Sequence, residues 1–431
     1  CGIKLSWLTN EGQDVDPIKH TVRLLNDGKI VAVKGIGGFL LLVDATNKKA
    51  VERLRKKKMR PAKPLACLFK DMEQVQKFAS VSEREAKSLR SAAAPIVLLK
   101  AKKNKREFAF DAVAPGLNRI GAMLPYAPLL EMICAAFDAP LVATSANASG
   151  SPIVYNDLDA LRLLGKIADA ILTNNREIIF PQDDSVVLFT PKYQQKIIIR
   201  RGRGMAPSVN FPEGRLLENT LAMGAEMNSA FAFTARGNSY LSQYLGDTSN
   251  YESQESYDHT LKNLRELMVP VLKGVAIDSH PNYHSSQKGR AMAAKENLSL
   301  FKIQHHKAHF ASVLADNDLM DAKEPILGVV WDGLGHGDDN NVWGSEFFLL
   351  DKSQMDRVSH LGYFPMMTSN RMSLEPAIAA YAIIWPESPG KVWLRKRFSD
   401  QEQDVFPQLA ENPKQFSSSM GRLFERLGWS G

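Results

Sequence analysis

Strand-like runs of β-branched residues alternate with amphipathic helical segments through the first half of the chain, and this alternation restricts the fold more than any other feature. The helical segments include residues 18–28, 47–59, 127–137 and 157–165. The strand-like runs include KIVAVK, FLLLVDAT, APIVLLK, PLVATSA, SVVLFT and KIIIRRG. Since strands that are joined through helices are typical of α/β domains, we predict a mixed, twisted α/β sheet for this half.

Local signals predict where the first two helices begin and end. Gly28 follows the first helical segment and tolerates the left-handed conformation that ends many helices. Asn47 stands where its side chain can cap the second helix, and Pro61 and Pro64 are incompatible with a helix that continues past them. This second helix carries the basic run RLRKKKMRPAKP. The commonest structural meaning of such a run is a solvated helix end.

A stretch without periodicity, residues 202–219, contains two prolines and three glycines and predicts a linker. After it, strands joined by tight or glycine-rich turns alternate with helices, which suggests an actin/hexokinase-like nucleotide-binding domain. We therefore predict a remnant of an upstream region over residues 1–14, a domain over 15–207, a linker over 208–219 and a second domain over 220–431.

Composition narrows the class of protein. A chain of 431 residues is too long for one typical hydrophobic core. Its content of 44% hydrophobic and 23% charged residues is ordinary for a soluble protein. No apolar run approaches the roughly 18 residues that span a membrane. Three widely spaced cysteines argue against a disulfide framework and for a reducing cytoplasm. The net charge of +7 is compatible with a nucleotide or nucleic-acid partner.

Three pieces of the first half can be combined into an anion site. Lys58 and Arg60 are two cations on a chain that bends at Pro61, and lysine and arginine both suit phosphate oxygens. The segment TSANASG follows a buried strand and offers hydroxyl, carboxamide and backbone N–H groups. Ser185 and Arg201 complete the set. Taken singly, each has an ordinary structural explanation, such as a strand-to-turn transition or a surface charge.

A candidate metal site lies in the second half. His305 and His309 are four residues apart, which places both rings on one face of a helix, although such a pair is more often structural. The next apolar strand is predicted to end at Asp332, beside a turn rich in glycine. Two imidazoles and a carboxylate are common ligands of a divalent metal. Glycines let backbone amides approach phosphate oxygens. The glycines concerned are Gly333, Gly335 and Gly337.

The anion-site motifs resemble those of the YrdC-like family over roughly residues 15 to 207. The matching positions are Lys58 and Arg60, then Ser145 and Asn147 in the segment that begins at Thr144, then Ser185 and Arg201. This resemblance implies ATP binding and the formation of a carbamoyl- or threonylcarbamoyl-adenylate. It implies catalytic roles for Lys58, Arg60, Ser145 and Asn147 and nucleotide contacts for Thr144, Ser185 and Arg201.

The second half resembles the metal- and nucleotide-binding domain of TsaD-like carbamoyltransferases, with His305, His309 and Asp332 at the ligand positions. The order of the two halves, together with strings such as LSQYLGD, DSHPNYHSS and QHHKAH, resembles the HypF family of [NiFe]-hydrogenase maturation. That resemblance implies carbamoyl phosphate and ATP as substrates, magnesium with the nucleotide, and one zinc or iron ion. It also implies transfer to the carboxyl-terminal cysteine of a HypE-like partner in the cytoplasm, with neither membrane nor RNA involved.

The chain also departs from the HypF pattern. GAEMNSAF, residues 224–231, lacks a lysine that the family usually has, and Thr368, Ser369 and Asn370 replace a Gly-Gly-Asp sequence before LEP at 374–376. We expect the upstream acylphosphatase-like and zinc-finger parts and a downstream segment with a further aspartate ligand to lie outside this sequence. Two alternatives stay open, namely threonylcarbamoyl-adenylate synthesis for tRNA modification and a degenerate paralogue that binds nucleotide without turnover.

Overall fold

A computed structural model describes residues 2–9, 16–102, 107–147, 152–207, 219–268, 271–364, 367–368, 371–372, 375–384 and 397–411. The chain divides into two units, Cys1–Lys302 and Ile303–Gly431. The predicted linker at residues 208–219 falls almost entirely outside the described residues, so the predicted domain boundaries stay a prediction. In the part of the chain that is described, no helix is both long and apolar enough to cross a membrane.

The first unit begins with a large mixed sheet and its helices. The elements are β1 (Leu5–Trp7), α1 (Pro17–Asn26), β2 (Val31–Lys34), β3 (Phe39–Asp44), α2 (Lys48–Lys57), β4 (Ala66–Leu68), α3 (Met72–Phe78), β5 (Ala79–Ser80), α4 (Glu83–Leu89), β6 (Ile96–Ala101), α5 (Phe110–Val113), β7 (Arg119–Met123), α6 (Pro128–Phe137), β8 (Leu141–Ser145), α7 (Asp157–Asp159) with a π-helical turn (Ala160–Leu164), β9 (Ala170–Asn174), β10 (Val186–Phe189) and β11 (Lys196–Arg200).

Both parallel and antiparallel pairs occur in this sheet, whose order is β1-β9-β2-β3-β8-β4-β7-β6-β10-β11, with β5 paired to β6. Successive residues of a strand point to opposite faces. Ala32 and Leu41 belong to one buried cluster, whereas Val31 and Leu40 belong to the other. Both faces are therefore covered, which confirms the predicted mixed α/β sheet.

The first unit continues with a second, five-stranded sheet of order β14-β13-β12-β15-β16. Strand β12 pairs in parallel with β15 and antiparallel with β13. Its core includes Phe231, Phe233 and Tyr257. The elements are β12 (Thr220–Ala222), β13 (Ala232–Ala235), β14 (Asn238–Leu241), α8 (Tyr251–Met268), β15 (Gly274–Asp278), α9 (His284–Glu296) and β16 (Ser299–Ile303).

The second unit contains a three-stranded antiparallel sheet of order β17-β18-β19. One of its faces is buried with Phe310 and Leu314 of the helix that precedes it. The elements are α10 (His305–Asp316), β17 (Ile326–His336), β18 (Val342–Asp351), β19 (Gln354–His360), α11 (Pro376–Ile384) and α12 (Asp400–Glu411).

The predicted helix signals act as expected. Asn47 caps α2 by accepting a hydrogen bond from Ala50 N at 3.1 Å. Gly28, with φ of +69°, follows the end of α1. Helix α2 ends at Lys57, before both prolines, and Met59 adopts a left-handed conformation with φ of +49°. The solvated interpretation of the basic run is wrong for Lys58, which is only 4% exposed.

Candidate functional site

Lys58 directs its ammonium group into the protein from the carboxyl end of α2. The Nζ donates a hydrogen bond to the main-chain carbonyl of Ser145, at the end of β8. It also donates to Asn147 Oδ1 at 3.1 Å, and Ser145 Oγ donates to the same oxygen at 2.9 Å. The structure therefore brings together the lysine of the first predicted pair and both members of the second.

Arg60 joins this group from the loop that follows α2. Its Nη1 lies 3.3 Å from Thr144 Oγ1, and its Nη2 donates to the Pro64 carbonyl at 2.5 Å. Because Met59 is left-handed, Lys58 and Arg60 approach the end of β8 from a tight bend. Four predicted catalytic residues and Thr144 thus form one polar cluster, which we call the Lys58 cluster.

Burial changes the acidity of the cations in the Lys58 cluster. Loss of solvation, with a smaller contribution from Arg60, lowers the pKa of Lys58 to about 7. Burial together with Arg55 and Arg200 lowers the pKa of Arg60 to about 10. Burial together with the charges of Arg60 and Arg200 lowers the pKa of Lys63. Buried cations that have little negative charge around them are suited to bind an anionic ligand.

Arg55 orders the loop that carries Arg60. Its guanidinium is buried and donates to the main-chain carbonyls of Arg60 at 2.9 Å, Lys63 at 3.1 Å and Val113 at 2.9 Å. A guanidinium has five N–H donors in a fixed plane, and all three nitrogens of Arg55 donate to main-chain carbonyls. Arg55 was part of the basic run in the sequence, but its spacing does not distinguish it from its solvated neighbours.

Ser185 and Arg201 are engaged within the protein. Ser185 is fully buried, and its hydroxyl donates to the Arg203 carbonyl and accepts from Gly202 N, both at 2.9 Å. Arg201 donates from Nη1 to the Met205 carbonyl at 3.0 Å. These contacts hold the strand β10 against the chain after β11. Their predicted nucleotide contacts stay a prediction.

The sequence did not indicate Arg200 and Asp183 as residues of this site. Arg200 lies at the end of β11, with Nη1 3.8 Å from Asp183 Oδ2. Asp183 acts on the charges of Lys58, Arg60 and Lys63. Only the pairing of β10 and β11 with the rest of the sheet brings these two residues to α2, so no local pattern indicates them.

The second candidate site lies between α10 and β17. His305 Nε2 is 3.1 Å and His309 Nε2 is 3.8 Å from Asp332 Oδ2, and the two imidazole nitrogens are 3.2 Å apart. The pKa of Asp332 lies below its ordinary value. Burial by itself would raise this pKa, but the hydrogen bonds from His305 and Gly333 N and the charges of His305 and His309 lower it by more. The carboxylate is therefore ionised at neutral pH.

These three donor atoms fit a divalent metal. With metal–ligand bonds of about 2.0–2.2 Å, neighbouring ligands of a tetrahedral ion lie about 3.3–3.6 Å apart. The measured separations of 3.1, 3.2 and 3.8 Å bracket that range. The donor set of two imidazoles and one carboxylate is also one that zinc and iron accept. The predicted ligand positions are therefore brought together, and their role as ligands stays a prediction.

His306, which the sequence prediction did not select, forms the floor of this site. It is fully buried, and its Nε2 lies 3.7 Å from Asp332 Oδ2. Gln304 Oε1 accepts from Lys307 N at 3.0 Å, which turns Gln304 Nε2 toward His306 Nδ1 at 3.1 Å. Burial lowers the pKa of His306, so its ring is neutral with the proton on Nε2, facing Asp332.

The prediction of a glycine-rich turn after Asp332 is wrong. Strand β17 continues to His336, because its antiparallel pairing with β18 resumes after a register irregularity between Trp331 and Gly335. A Cβ on Gly335 would lie 2.3 Å from His306 Cε1, so this glycine makes room for the histidine ring. Gly337 likewise lies against Trp343, and a Cβ on Gly333 would meet nothing within 4 Å. Nucleotide contacts by the three glycines stay a prediction.

The altered loop at residues 224–231 follows β12. Gly224 has a φ of +71°, and a Cβ there would lie 1.9 Å from the Ala230 carbonyl oxygen, so glycine is required. Burial and the charge of Asp247 raise the pKa of Glu226. The loop therefore has a carboxylate close to another. Of the second altered stretch, Thr368 is buried, whereas residues 369–370 and 373–374 lie outside the described part.

Comparison with sequence families divides the chain into three matched regions. Residues 23–202 match the Sua5/YciO/YrdC family, described as telomere recombination. Residues 216–316 match the HypF Kae1-like domain. Residues 328–428 match the second subdomain of the carbamoyltransferase Kae1-like domain. The fold is thus a Sua5/YrdC-like domain followed by Kae1-like domains.

Individual proteins match over nearly all of the chain. Carbamoyltransferase HypF of Synechocystis sp. is 35% identical over 98% of this chain and 57% of the relative. Its Rhodobacter capsulatus counterpart is 35% identical over 99% of this chain and 57% of the relative. A crystal structure of full-length HypF in the phosphate- and nucleotide-bound form has a TM-score of 0.85 at 35% identity, over 99% of this chain and 55% of that one. The chain thus spans little more than half the length of these relatives.

Proposed function

The chain belongs to the HypF family of carbamoyltransferases, and from this premise we propose that its Sua5/YrdC-like part makes carbamoyl-adenylate from ATP and carbamoyl phosphate. The observation that carries the proposal is the Lys58 cluster, in which Lys58 meets the end of β8 at Ser145 and Asn147. The balanced reaction uses one water to convert carbamoyl phosphate into carbamate and phosphate. A carbamate oxygen then attacks the α-phosphorus of ATP, and pyrophosphate leaves with the bonding electrons.

Each residue of the Lys58 cluster has a physical role in this step. Lys58 and Arg60 offset the negative charge that accumulates on the phosphate oxygens, and their burial strengthens that effect. Ser145 and Asn147 orient the carbamoyl group and the nucleotide by hydrogen bonding. Magnesium accompanies the nucleotide. Since pyrophosphate and adenylate are good leaving groups, the chain needs no acid–base pair for the step.

We propose that the Kae1-like part transfers the carbamoyl group to the carboxyl-terminal cysteine of a HypE-like partner. His305, His309 and Asp332 would hold a zinc or iron ion. A divalent metal at that place supplies Lewis acidity toward a carbonyl or phosphoryl oxygen. Within the protein, Gln304 Nε2 contacts His306 Nδ1 and so fixes the His306 ring, whose Nε2 faces Asp332 Oδ2 at 3.7 Å.

The adenylation proposal is tested with the 431-residue chain in an ATP–pyrophosphate exchange assay. The arms are carbamoyl phosphate, ammonium bicarbonate as a source of carbamate, and threonine with bicarbonate. Exchange that depends on either of the first two supports the proposal, and exchange that depends on threonine supports the threonylcarbamoyl-adenylate alternative.

Lys58→Ala removes a preorganised cation and is expected to lower the exchange rate by about 30- to 1,000-fold, or roughly 2–4 kcal/mol. Lys49→Ala is the matched control, because Lys49 lies on the exposed side of the same helix. Full exchange activity in Lys58→Ala would contradict the assignment.

A non-catalytic paralogue is the second candidate function, and the altered loop at residues 224–231 favours it. Two neighbouring carboxylates, Glu226 and Asp247, oppose phosphate binding at that place. Nucleotide binding without exchange in any arm of the assay would support this candidate.

A further inference from the structure

Asp183 is a carboxylate among the cations of the proposed adenylation site. Its charge acts on Lys58, Arg60 and Lys63, and its Oδ2 lies 3.8 Å from Arg200 Nη1. A site that had only to bind phosphate would be weakened by a negative charge in this position, because like charges repel. The position therefore calls for a second explanation.

The carboxylate of Asp183 has acceptor capacity to spare. The distance of 3.8 Å to Arg200 Nη1 exceeds hydrogen-bonding range. Among the described residues, no donor forms a hydrogen bond to either carboxylate oxygen of Asp183, although an ionised carboxylate has about four acceptor positions. The side chain is 15% exposed, so a ligand can reach it from the solvent side.

The main chain holds Asp183 in a defined place. The carbonyl of Asp183 accepts a hydrogen bond from Arg203 N at 2.8 Å. Gly202 passes so close that a Cβ on it would lie 2.1 Å from the Asp183 carbonyl oxygen. The neighbouring Asp184 is buried and paired with Arg203 Nε at 2.8 Å. Asp183 is thus a fixed acceptor at the solvent side of the cationic cluster.

We propose that Asp183 recognises the amino group of the carbamoyl substrate and is the specificity-determining residue of the adenylation site. A carbamoyl group differs from an acetyl group of almost the same shape in that NH2, with two hydrogen-bond donors, replaces CH3. A carboxylate accepts from such donors and gains nothing from a methyl group. Sites that use a buried polar group in this way reject an analogue without the donor far more strongly than apolar pockets do. This inference rests on the proposed function.

The test uses two stable analogues of the adenylate, 5′-O-(N-carbamoylsulfamoyl)adenosine and 5′-O-(N-acetylsulfamoyl)adenosine. They differ only in NH2 against CH3. Their dissociation constants are measured by titration calorimetry with the full chain and with Asp183→Ala and Asp183→Asn. Asp138→Asn is the control, because Asp138 is an exposed partner of Lys70 and has the same change in charge.

Opposite responses of the two ligands are the expected result. Asp183→Ala should bind the carbamoyl analogue about 10-fold or more weakly, since a hydrogen bond to a charged group is lost. The acetyl analogue should bind as well as before or more tightly, since a negative charge has gone. Asp183→Asn keeps one acceptor oxygen and should retain part of the preference. Asp138→Asn should change neither constant.

Parallel shifts for both analogues in the Asp183 variants would overturn the inference, because they would show that Asp183 is only a counter-ion of Arg200. Equal affinity of the unmodified chain for the two analogues would overturn it as well. If the unmodified chain bound neither analogue, the adenylation proposal itself would fail, and the inference with it. The two kinds of failure are distinguishable. Lack of binding is seen in the unmodified chain, whereas parallel shifts are seen only in the Asp183 variants.

Discussion

Binding of MgATP to the Lys58 cluster should be accompanied by proton uptake and should weaken as the pH rises above 7. Burial lowers the pKa of Lys58 to about 7, so much of the free protein has a neutral amine at pH 8. The phosphates of a bound nucleotide stabilise the charged form and raise this pKa again. Binding at pH 8 therefore takes up about 0.9 proton, whereas binding at pH 6 takes up about 0.1.

The same reasoning gives the size of the change in affinity. The free site must first be protonated, so the dissociation constant should increase by about 50-fold between pH 7 and pH 9. The pKa of Arg60 is lowered only to about 10, so its guanidinium stays charged over this range. The stability of the free protein depends on pH in the opposite direction, because it rises with pH where the affinity for MgATP falls. An unfolded Lys58 binds more protons than the folded one between pH 7 and 10, so this residue disfavours folding most at low pH.

Titration calorimetry in two buffers with different ionisation enthalpies measures the proton uptake directly. The assay is run at pH 7, 8 and 9 with MgATP and no carbamoyl donor, on the unmodified chain and on Lys58→Met. The methionine variant lacks the titrating group and should bind weakly with little pH dependence. If the unmodified chain bound MgATP without proton uptake at pH 8, the low pKa of Lys58 and its role at the phosphates would both be refuted.

Three further predictions concern other residues. His309→Ala should lower the amount of divalent metal bound per chain, measured by elemental analysis after dialysis against chelator, whereas His259→Ala should not; unchanged metal in His309→Ala would make the histidine pair structural. Arg55→Met removes the side-chain donor of the Ala112 and Arg60 carbonyls, whereas the Val113 and Lys63 carbonyls keep Leu65 N and Arg60 Nε as donors; it should lower the free energy of unfolding in urea by about 2–4 kcal/mol, and a loss below 1 kcal/mol would contradict this account of the loop. Restoring lysine at Asn228 and Gly-Gly-Asp at residues 368–370, in the full reading frame, should raise thiocarboxamide formation on a HypE-like cysteine, measured by mass spectrometry; efficient transfer by the unmodified full-length protein would show that the altered loops are tolerated.

Local sequence was sufficient to predict features that depend on near neighbours along the chain. Asn47 caps α2 because a capping side chain bonds to an amide only three residues ahead. His305 and His309 share a helix face because the helical repeat places residues four apart on the same side. The alternation of strand and helix predicted the mixed α/β sheet because each segment must bury its own apolar face.

Tertiary structure alone decided which polar groups surround each site and in what charge state. Asp183 reaches Lys58, and Arg200 reaches Arg60, only through the order of strands in the large sheet, and no local pattern predicts contacts over that separation. The low pKa of Lys58 arises from burial, which depends on all the elements packed around it. Asp332 stays inside β17 rather than at a turn because pairing with β18 continues past the register irregularity. Those strand pairings and that burial depend on segments far away in the sequence, so they cannot be predicted from neighbouring residues alone.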